Sequence, residues 1–363
     1  IGVMGCMAKA QRDTIFKRAP HVDFLSGPAQ LYEVPELLDA ITEERKPMMA
    51  IQEKRRAEFQ TISYHSGKVT ALVTVMEGCD KLCSYCIIPY TRGPEVSRPP
   101  EQILEEVLRL AGRGYREVML LGQNVNSYGR RGVGENGAAT RAVSFPDLLA
   151  RVDQVEGIER IRFITSHPWD AVEDLFVAMR DLAHVCEHLH LPVQSGSNQL
   201  LERMRRGYTA EEYLAKLELL RRLVPEVAVT TDLMVGFPGE TEADFEGTVR
   251  LMERARFDSA FIFKYSTRPF AAASRWQDDV PREVKERRLR TLLELQERIS
   301  LEKDQAYLGK AVEVLVEEPG MGRSRTNRKV YFPEDGLRPG ELAQVRVEGI
   351  RGHSFMGKRV EDD

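Results

Sequence analysis

The sequence predicts an α/β protein organised around an open, partial parallel β/α barrel. Six apolar runs recur between residues 69 and 263, and each is followed by an amphipathic stretch of helical period. Parallel strands need a long crossover, so repeated strand-helix units favour a parallel sheet that curls into an open barrel. The predicted strands are residues 69–75, 117–121, 160–164, 188–193, 227–235 and 259–263.

Two smaller units are predicted on either side of the barrel, which we place at residues 69–300. Residues 1–46 have the pattern of half an α/β domain, and the polar, charged residues 47–68 are typical of a linker. Residues 301–363 contain short alternating runs separated by glycines, which predict a small β-barrel. Because the chain begins inside an apolar run without an initiator Met, we expect its beginning to be missing.

Composition restricts the class of protein. The 363 residues are 42% hydrophobic and 30% charged, which is ordinary for a soluble globular protein, and no apolar run reaches the roughly 20 residues of a membrane helix. The net charge of -4 indicates no general affinity for polyanions, so nucleic-acid contact requires a local basic patch. Five cysteines, three of them clustered, favour metal ligation in a reducing, cytoplasmic compartment over disulfides.

Three cysteines form the strongest motif. Cys79, Cys83 and Cys86 have the spacing CxxxCxxC and follow the first predicted barrel strand. Thiolates this close are expected to share one centre. A structural zinc ion takes four ligands, whereas three thiolates on a cubane iron-sulfur cluster leave one iron open to a small molecule. Both a cluster and a zinc site remain open at this point.

Polar or glycine-rich motifs follow the other predicted strands, where reactive residues of β/α barrels lie. Each motif alone is also compatible with a turn or a core position, but together at one rim they predict a pocket. From their rim position we expect contacts to cofactor or substrate from Gln123, Ser166, Gln194 and Gly236. The motifs are LGQNVNSYG, TSHP, LPVQSGSN, GFPGE and KYSTRPF.

The cysteine spacing, with Tyr85 before the last cysteine, resembles the signature of the radical S-adenosylmethionine (SAM) enzymes. The stretches around it resemble the radical-SAM methylthiotransferases across essentially the whole chain, and GQNVNSYG resembles the tRNA-modifying MiaB type. The resemblance implies a barrel of the radical-SAM type, preceded by part of a methylthiotransferase domain and followed by a TRAM domain. The other matching stretches are CSYCIIPYTRGPEVSRP, LPVQSGS and GFPGET.

The resemblance also implies the chemistry. A 4Fe-4S cluster on the three cysteines would bind SAM at its open iron and yield a 5'-deoxyadenosyl radical. The radical would remove hydrogen from carbon 2 of N6-isopentenyladenosine beside the tRNA anticodon, where a methylthio group replaces it. An auxiliary 4Fe-4S cluster would supply the sulfur, with Cys6 as its one ligand in this sequence. A tRNA anticodon stem-loop, an electron donor such as flavodoxin, and a monomeric enzyme are expected.

Two local features qualify this interpretation. Cys186 has no neighbouring thiol in sequence, and we interpret it as a structural, buried residue. In the loop after the sixth strand, Phe270 and Ala271 stand where the family pattern usually has Gly-Thr. The change stiffens the loop and removes a hydroxyl, which affects the expected substrate contacts there.

A basic turn in the carboxyl-terminal segment predicts an RNA-binding surface. Its charges lie close to Tyr331 and Phe332, and basic and aromatic side chains on a small barrel suit phosphate contact and base stacking. A solvated charged turn is the alternative. The basic residues are Arg323, Arg325, Arg328 and Lys329.

Three other functions remain open. A sibling methylthiotransferase would act on N6-threonylcarbamoyladenosine in tRNA or on a ribosomal-protein aspartate, although the GQNVN stretch and the basic terminal segment count against it. A non-catalytic RNA-binding protein would use the cysteines for zinc. A chain lacking two auxiliary ligands would cleave SAM without methylthiolation.

Overall fold

The computed structural model describes residues 1–44, 46–51, 69–130, 143–333 and 336–360. The amino-terminal unit is a three-stranded parallel sheet in the order β1-β2-β3. Its elements are β1 (Gly2–Met4), α1 (Cys6–Gln11), α2 (Asp13–Arg18), β2 (Phe24–Ser26), α3 (Val34–Glu44) and β3 (Met48–Ala50).

The linker predicted at residues 47–68 is wrong at its start. β3 lies inside that range and pairs in parallel with β2, so the sheet extends further than the sequence indicates. Three residues are too few for a period to stand out among charged neighbours. The remainder of the predicted linker, 52–68, lies outside the described residues.

The central unit is the predicted open β/α barrel. Strands β4, β7 and β8 pair in parallel, as do β9, β10 and β11, and a parallel bridge between Ile161 and Val185 joins the two halves. The strands and short strands are β4 (Thr70–Thr74), β5 (Met76–Glu77), β6 (Val96–Ser97), β7 (Glu117–Leu121), β8 (Arg160–Ile164), β9 (His188–His190), β10 (Ala228–Val235) and β11 (Ser259–Lys264). The helices are α4 (Ile88–Thr91), α5 (Pro100–Gly112), α6 (Phe145–Asp153), α7 (Glu173–Asp181), α8 (Asn198–Arg203), α9 (Ala210–Leu223), α10 (Glu242–Ala255) and α11 (Arg282–Gln305).

Alternation along the strands separates helix-facing from inward-facing residues. In β4, Ala71 and Val73 are fully buried in the helix-covered core, whereas Leu72 between them is 53% exposed. Helix starts are fixed locally: Ser144 and Thr209 each form a capping box with the carboxylate three residues later. The prediction of a partial parallel barrel is confirmed. None of the described helices combines the length and apolar character that a membrane crossing needs.

The carboxyl-terminal unit is a closed five-stranded barrel in the order β12-β13-β14-β16-β15, as the sequence predicts. Its strands are β12 (Ala311–Glu318), β13 (Met321–Ser324), β14 (Lys329–Tyr331), β15 (Leu342–Arg351) and β16 (Ser354–Arg359). Val314, Val330, Val345 and Phe355 are fully buried in its core. Helix α11 leads to it and extends past the boundary predicted between residues 300 and 301.

The small barrel docks on the central barrel through the turn between β13 and β14. Arg160 and Arg162, at the amino end of β8, donate hydrogen bonds to the carbonyls of Arg323 (2.5 Å) and Ser324 (2.7 Å), respectively. Arg328 lies 2.7 Å from Asp304 of α11. Because these contacts lie at the amino ends of the strands, the small barrel is placed opposite the rim that carries the cysteine loop.

We predict that Arg328→Met lowers the free energy of unfolding by about 3 kcal/mol. Removing the guanidinium leaves the buried Asp304 carboxylate without its ion pair, which is a costly arrangement in a protein interior. Urea denaturation followed by circular dichroism measures the change. The exposed neighbour Lys329, changed to Met, is the matched control and should have little effect; equal stability of the two variants would contradict the docking account.

Candidate functional site

The cysteine loop lies at the carboxyl end of β4, enclosed by the short β5-β6 pair. Cys79 and Cys83 are buried and Cys86 is half-buried. Backbone N–H groups point at two of the sulfurs: Lys81 donates to Cys79 Sγ and Ile88 donates to Cys86 Sγ, both at 3.4 Å. Such N–H contacts are one of the means by which proteins tune cluster-ligating sulfurs.

Arg206 supplies the cation beside the third sulfur. Its Nη1 donates to Cys83 Sγ at 3.3 Å and to the hydroxyl of Tyr85 at 3.2 Å. Its other nitrogens bind the Tyr208 hydroxyl at 2.8 Å and the Pro192 carbonyl at 2.7 Å. A guanidinium keeps its charge when buried, so this side chain favours negative charge on the loop.

Burial makes the thiols of Cys79 and Cys86 hard to ionise. It raises the pKa of Cys79 to about 12, against a lowering by the Lys81 N–H, and nearby Glu95 and the other two cysteines raise it further. Burial also raises the pKa of Cys86. A bound cationic group removes this difficulty because coordination deprotonates a thiol outright. Within the described residues, no group of three His, Cys, Asp or Glu side chains forms a metal site as it stands. The fit to an iron-sulfur cluster therefore rests on the donor type, three neighbouring cysteine thiols.

His167 completes the surroundings of Cys83 as a neutral side chain. Its Nε2 lies 3.9 Å from Cys83 Sγ, and its Nδ1 accepts the Trp169 N–H at 3.2 Å. Burial, followed by the charges of Arg206 and Lys81, lowers the pKa of His167 far below its usual value. The imidazole is therefore uncharged at neutral pH.

Polar side chains adjoin the cysteine loop, and two buried polar atoms have no hydrogen-bond partner in the described residues. Asp170 is ion-paired with Lys81 at 3.0 Å and with Arg130, and it accepts a hydrogen bond from Asn124 Nδ2 at 2.7 Å. Within the described residues, Asn124 Oδ1 and Ser166 Oγ are buried without a hydrogen-bond partner. Buried polar atoms are normally satisfied, so these two fit a polar ligand.

The predicted contact residues have different surroundings. Gln123 Oε1 accepts the Gly78 N–H at 2.6 Å and so holds the cysteine loop. Gly236 has φ +71° and its N–H donates to Glu240 at 2.5 Å, while an added Cβ would lie 2.3 Å from Lys285 Cγ. Gln194, with φ +76°, bridges to β10 through its backbone. Ser166 alone among the four has a buried polar atom without a partner in the described residues.

Arg206, Asn124 and Asp170 are functional candidates that the sequence analysis did not select. Asn124 lies inside the GQNVN motif, so that motif could have indicated it as a candidate site residue. Arg206 belongs to RRGYT, outside every strand-end motif, and is brought to Cys83 by the turn after α8. Nothing in its local sequence indicates that contact.

The structure also shows the surroundings of the two cysteines outside the cysteine loop, Cys6 and Cys186. Cys6 begins α1, which packs against α4, the helix that follows the cysteine loop. Cys186 is 1% exposed, and its N–H donates to the Ile161 carbonyl beside the bridge between the barrel halves. A structural position agrees with its surroundings.

The basic turn of the small barrel differs from the RNA surface predicted from its charges. Arg325 binds Glu187 at 2.7 Å, and Arg328 is buried between Asp258 and Asp304. Arg323 pairs with Glu317 at 3.0 Å, and Lys329 is exposed. Carboxylates distant in sequence pair with both guanidinium groups of Arg325 and Arg328. RNA contact at these positions stays a prediction.

Comparison with known proteins places the chain in a family. Residues 73–252 match the Radical SAM superfamily. The tRNA-2-methylthio-N(6)-dimethylallyladenosine synthase of Protochlamydia amoebophila is 43% identical over 368 residues, which cover 98% of this chain and 80% of that protein. The synthase of Moorella thermoacetica is 44% identical over 371 residues, 99% of this chain and 82% of that protein. The chain belongs to the radical SAM family that contains these synthases.

The resemblance drawn from the motifs is thereby confirmed, as is the enzyme class. A solved structure agrees on the fold: the radical SAM methyltransferase TsrM from Kitasatospora setae has a TM-score of 0.56 and 14% identity, covering 75% of this chain and 58% of that one. At that identity the similarity concerns the fold alone. The cysteine loop and all elements from β5 to α9, with the end of β4 and most of α10, lie in the part that matches the superfamily.

We predict that replacing Cys79, Cys83 and Cys86 together by Ala removes about four irons per chain from anaerobically reconstituted protein and lowers its broad visible absorption. Iron and sulfide analysis measures the loss. Cys186→Ala is the control and should keep both, because its buried thiol lies apart from the loop. Stoichiometric zinc in a colourless wild-type protein would contradict the cluster and favour a zinc-containing RNA-binding protein.

Proposed function

We propose that the protein is a tRNA methylthiotransferase that inserts a methylthio group at carbon 2 of N6-isopentenyladenosine (also called N6-dimethylallyladenosine) next to the anticodon. The observation that carries this proposal is the near-full-length similarity to synthases of that name. The buried cysteine loop at the rim of a radical SAM barrel provides a site for the required chemistry.

Cys79, Cys83 and Cys86 would hold a 4Fe-4S cluster, and SAM would bind beside it. When bound, the cluster supplies the electron that turns SAM into a source of radicals able to remove hydrogen from an unactivated carbon. Arg206 stabilises charge on the Cys83 sulfur, and neutral His167 adds no further cation there. Asn124 Oδ1 and Ser166 Oγ would share hydrogen bonds with SAM. Tyr85, Gln123, Gln194 and Gly236 would contact SAM or the substrate.

A second, auxiliary 4Fe-4S cluster would use Cys6 as one ligand and supply the sulfur atom. One SAM molecule would supply the methyl group of that sulfur, and a second would supply the radical. The support is position: α1, which begins at Cys6, packs against α4 directly after Cys86. In this proposal residues 1–46 are part of a methylthiotransferase domain.

Partners follow from this reaction. The substrate is the anticodon stem-loop of tRNA, which places the enzyme in the cytoplasm, and an external donor such as flavodoxin supplies electrons to a monomeric enzyme. Residues 301–363 would serve as a TRAM-like RNA-binding barrel. Arg325 and Arg328 form ion pairs that dock the small barrel. The exposed Lys329 and Tyr331, together with the half-buried Arg323, would therefore make most of the RNA contacts.

The proposal predicts that reconstituted protein, given SAM and a reductant, converts an anticodon stem-loop RNA with N6-isopentenyladenosine into its 2-methylthio derivative. Nucleoside mass spectrometry detects the product. Cys83→Ala should give neither product nor 5'-deoxyadenosine, because one of three cluster ligands is lost.

The alternatives give different results in the same assay. Product only from an RNA with N6-threonylcarbamoyladenosine, or from a ribosomal protein, would replace the proposed function with that of a sibling enzyme. Production of 5'-deoxyadenosine without any methylthio product would indicate that the chain needs auxiliary ligands beyond Cys6.

A further inference from the structure

We propose that Tyr90 and Phe270 form an aromatic platform on which an unpaired base of the RNA substrate stacks, beside the base that is modified. This inference rests on the proposed function, because it takes RNA as the substrate. It assigns a binding role to two rim residues outside the cluster ligands and their immediate neighbours.

The two rings meet at the barrel rim from opposite ends of the barrel sequence. Tyr90 lies on α4, directly after the cysteine loop, and Phe270 lies in the loop after β11. Their ring centroids are 6.2 Å apart and the planes are inclined by 31°. Tyr90 is 51% exposed and Phe270 is 54% exposed, so the paired rings present an open aromatic surface.

The loop that carries Phe270 is held against the cysteine loop. Ala273 donates its N–H to the Ser84 carbonyl at 2.8 Å and accepts the Tyr265 hydroxyl at 3.1 Å. Ala271 and Ala273 are 1% exposed, whereas Phe270 beside them remains open to solvent. The backbone that carries Phe270 is therefore held next to the cysteine loop.

The backbone at Phe270 is unfavourable for a bulky residue. Its φ is +68°, a left-handed conformation that glycine adopts without steric cost and that phenylalanine rarely adopts. Strained residues that the surrounding structure holds in place concentrate at binding and catalytic sites. An exposed ring contributes little to the packing of the core, so packing does not offset the unfavourable backbone conformation at Phe270. We therefore assign the ring a role in binding.

The charges around the platform favour a nucleic acid as the occupant. Arg268 and Arg275 are exposed in the same loop as Phe270. Base stacking on aromatic side chains, combined with nearby cations for the phosphates, is how proteins bind unpaired nucleotides without reading their sequence. An apolar protein partner would not need these two guanidinium groups.

The test measures RNA binding by fluorescence anisotropy with the reconstituted full chain. The probes are two anticodon stem-loops containing N6-isopentenyladenosine: one intact, and one with abasic nucleotides on either side of the modified base. Because one stacked base contributes a substantial part of the affinity, Phe270→Ala and Tyr90→Ala should each bind the intact RNA about tenfold more weakly. Both should bind the abasic RNA as wild type does.

Phe270→Gly separates binding from folding. Glycine suits φ +68°, so this variant should be at least as stable as wild type to thermal unfolding yet bind the intact RNA as weakly as Phe270→Ala. Tyr90→Phe keeps the ring and should keep the affinity. Leu293→Ala, at an exposed position on α11, is the control for loss of apolar surface away from the rim.

The outcomes distinguish this inference from the proposed function. Wild-type protein that binds neither RNA would overturn the proposed function and the platform with it. Wild-type protein that binds the intact RNA, with Phe270→Gly and Tyr90→Ala binding it equally well, would overturn the platform alone. SAM cleavage without RNA should stay within about twofold of wild type in each rim variant, since none of them changes a cluster ligand.

Discussion

The placement of three cysteine sulfurs, on two buried residues and one half-buried residue, near one buried guanidinium is the constraint on which the rest of this structure depends. Thiolates in an apolar interior are unfavourable unless cations and hydrogen-bond donors surround them. Arg206 meets this need at Cys83, and backbone N–H groups meet it at Cys79 and Cys86. The loop is therefore prepared for a cationic cluster that removes the remaining cost by coordinating the sulfurs.

The architecture keeps this loop apart from the domain interface. Parallel strands gather their carboxyl ends at one rim, where the cysteine loop, Ser166 and Gln194 follow three different strands. The small barrel occupies the amino ends, fixed by arginines that bind backbone carbonyls and by the Arg328 ion pairs. A rigidly placed small barrel would hold a long RNA at a constant position relative to the reactive rim.

Sequence reasoning succeeded where the signal is local and failed where it depends on distant partners. The barrel strands were predictable because their period and spacing repeat, and β7 and β8 have the predicted bounds. The cysteine motif spans only a few residues. The ion pairs of Arg325 and Arg328 could not be predicted because their partners, Glu187, Asp258 and Asp304, are far away in sequence. Arg206 was missed for the same reason.

The central claim is that the three-cysteine loop holds a 4Fe-4S cluster with one iron open to SAM. Electron paramagnetic resonance of the reduced, reconstituted protein tests it most directly, because a ligand on the open iron changes the signal of the cluster. We predict a 4Fe-4S signal that shifts when SAM is added and that is absent without Cys79, Cys83 and Cys86. A cluster signal on these cysteines that is unchanged by saturating SAM would contradict it.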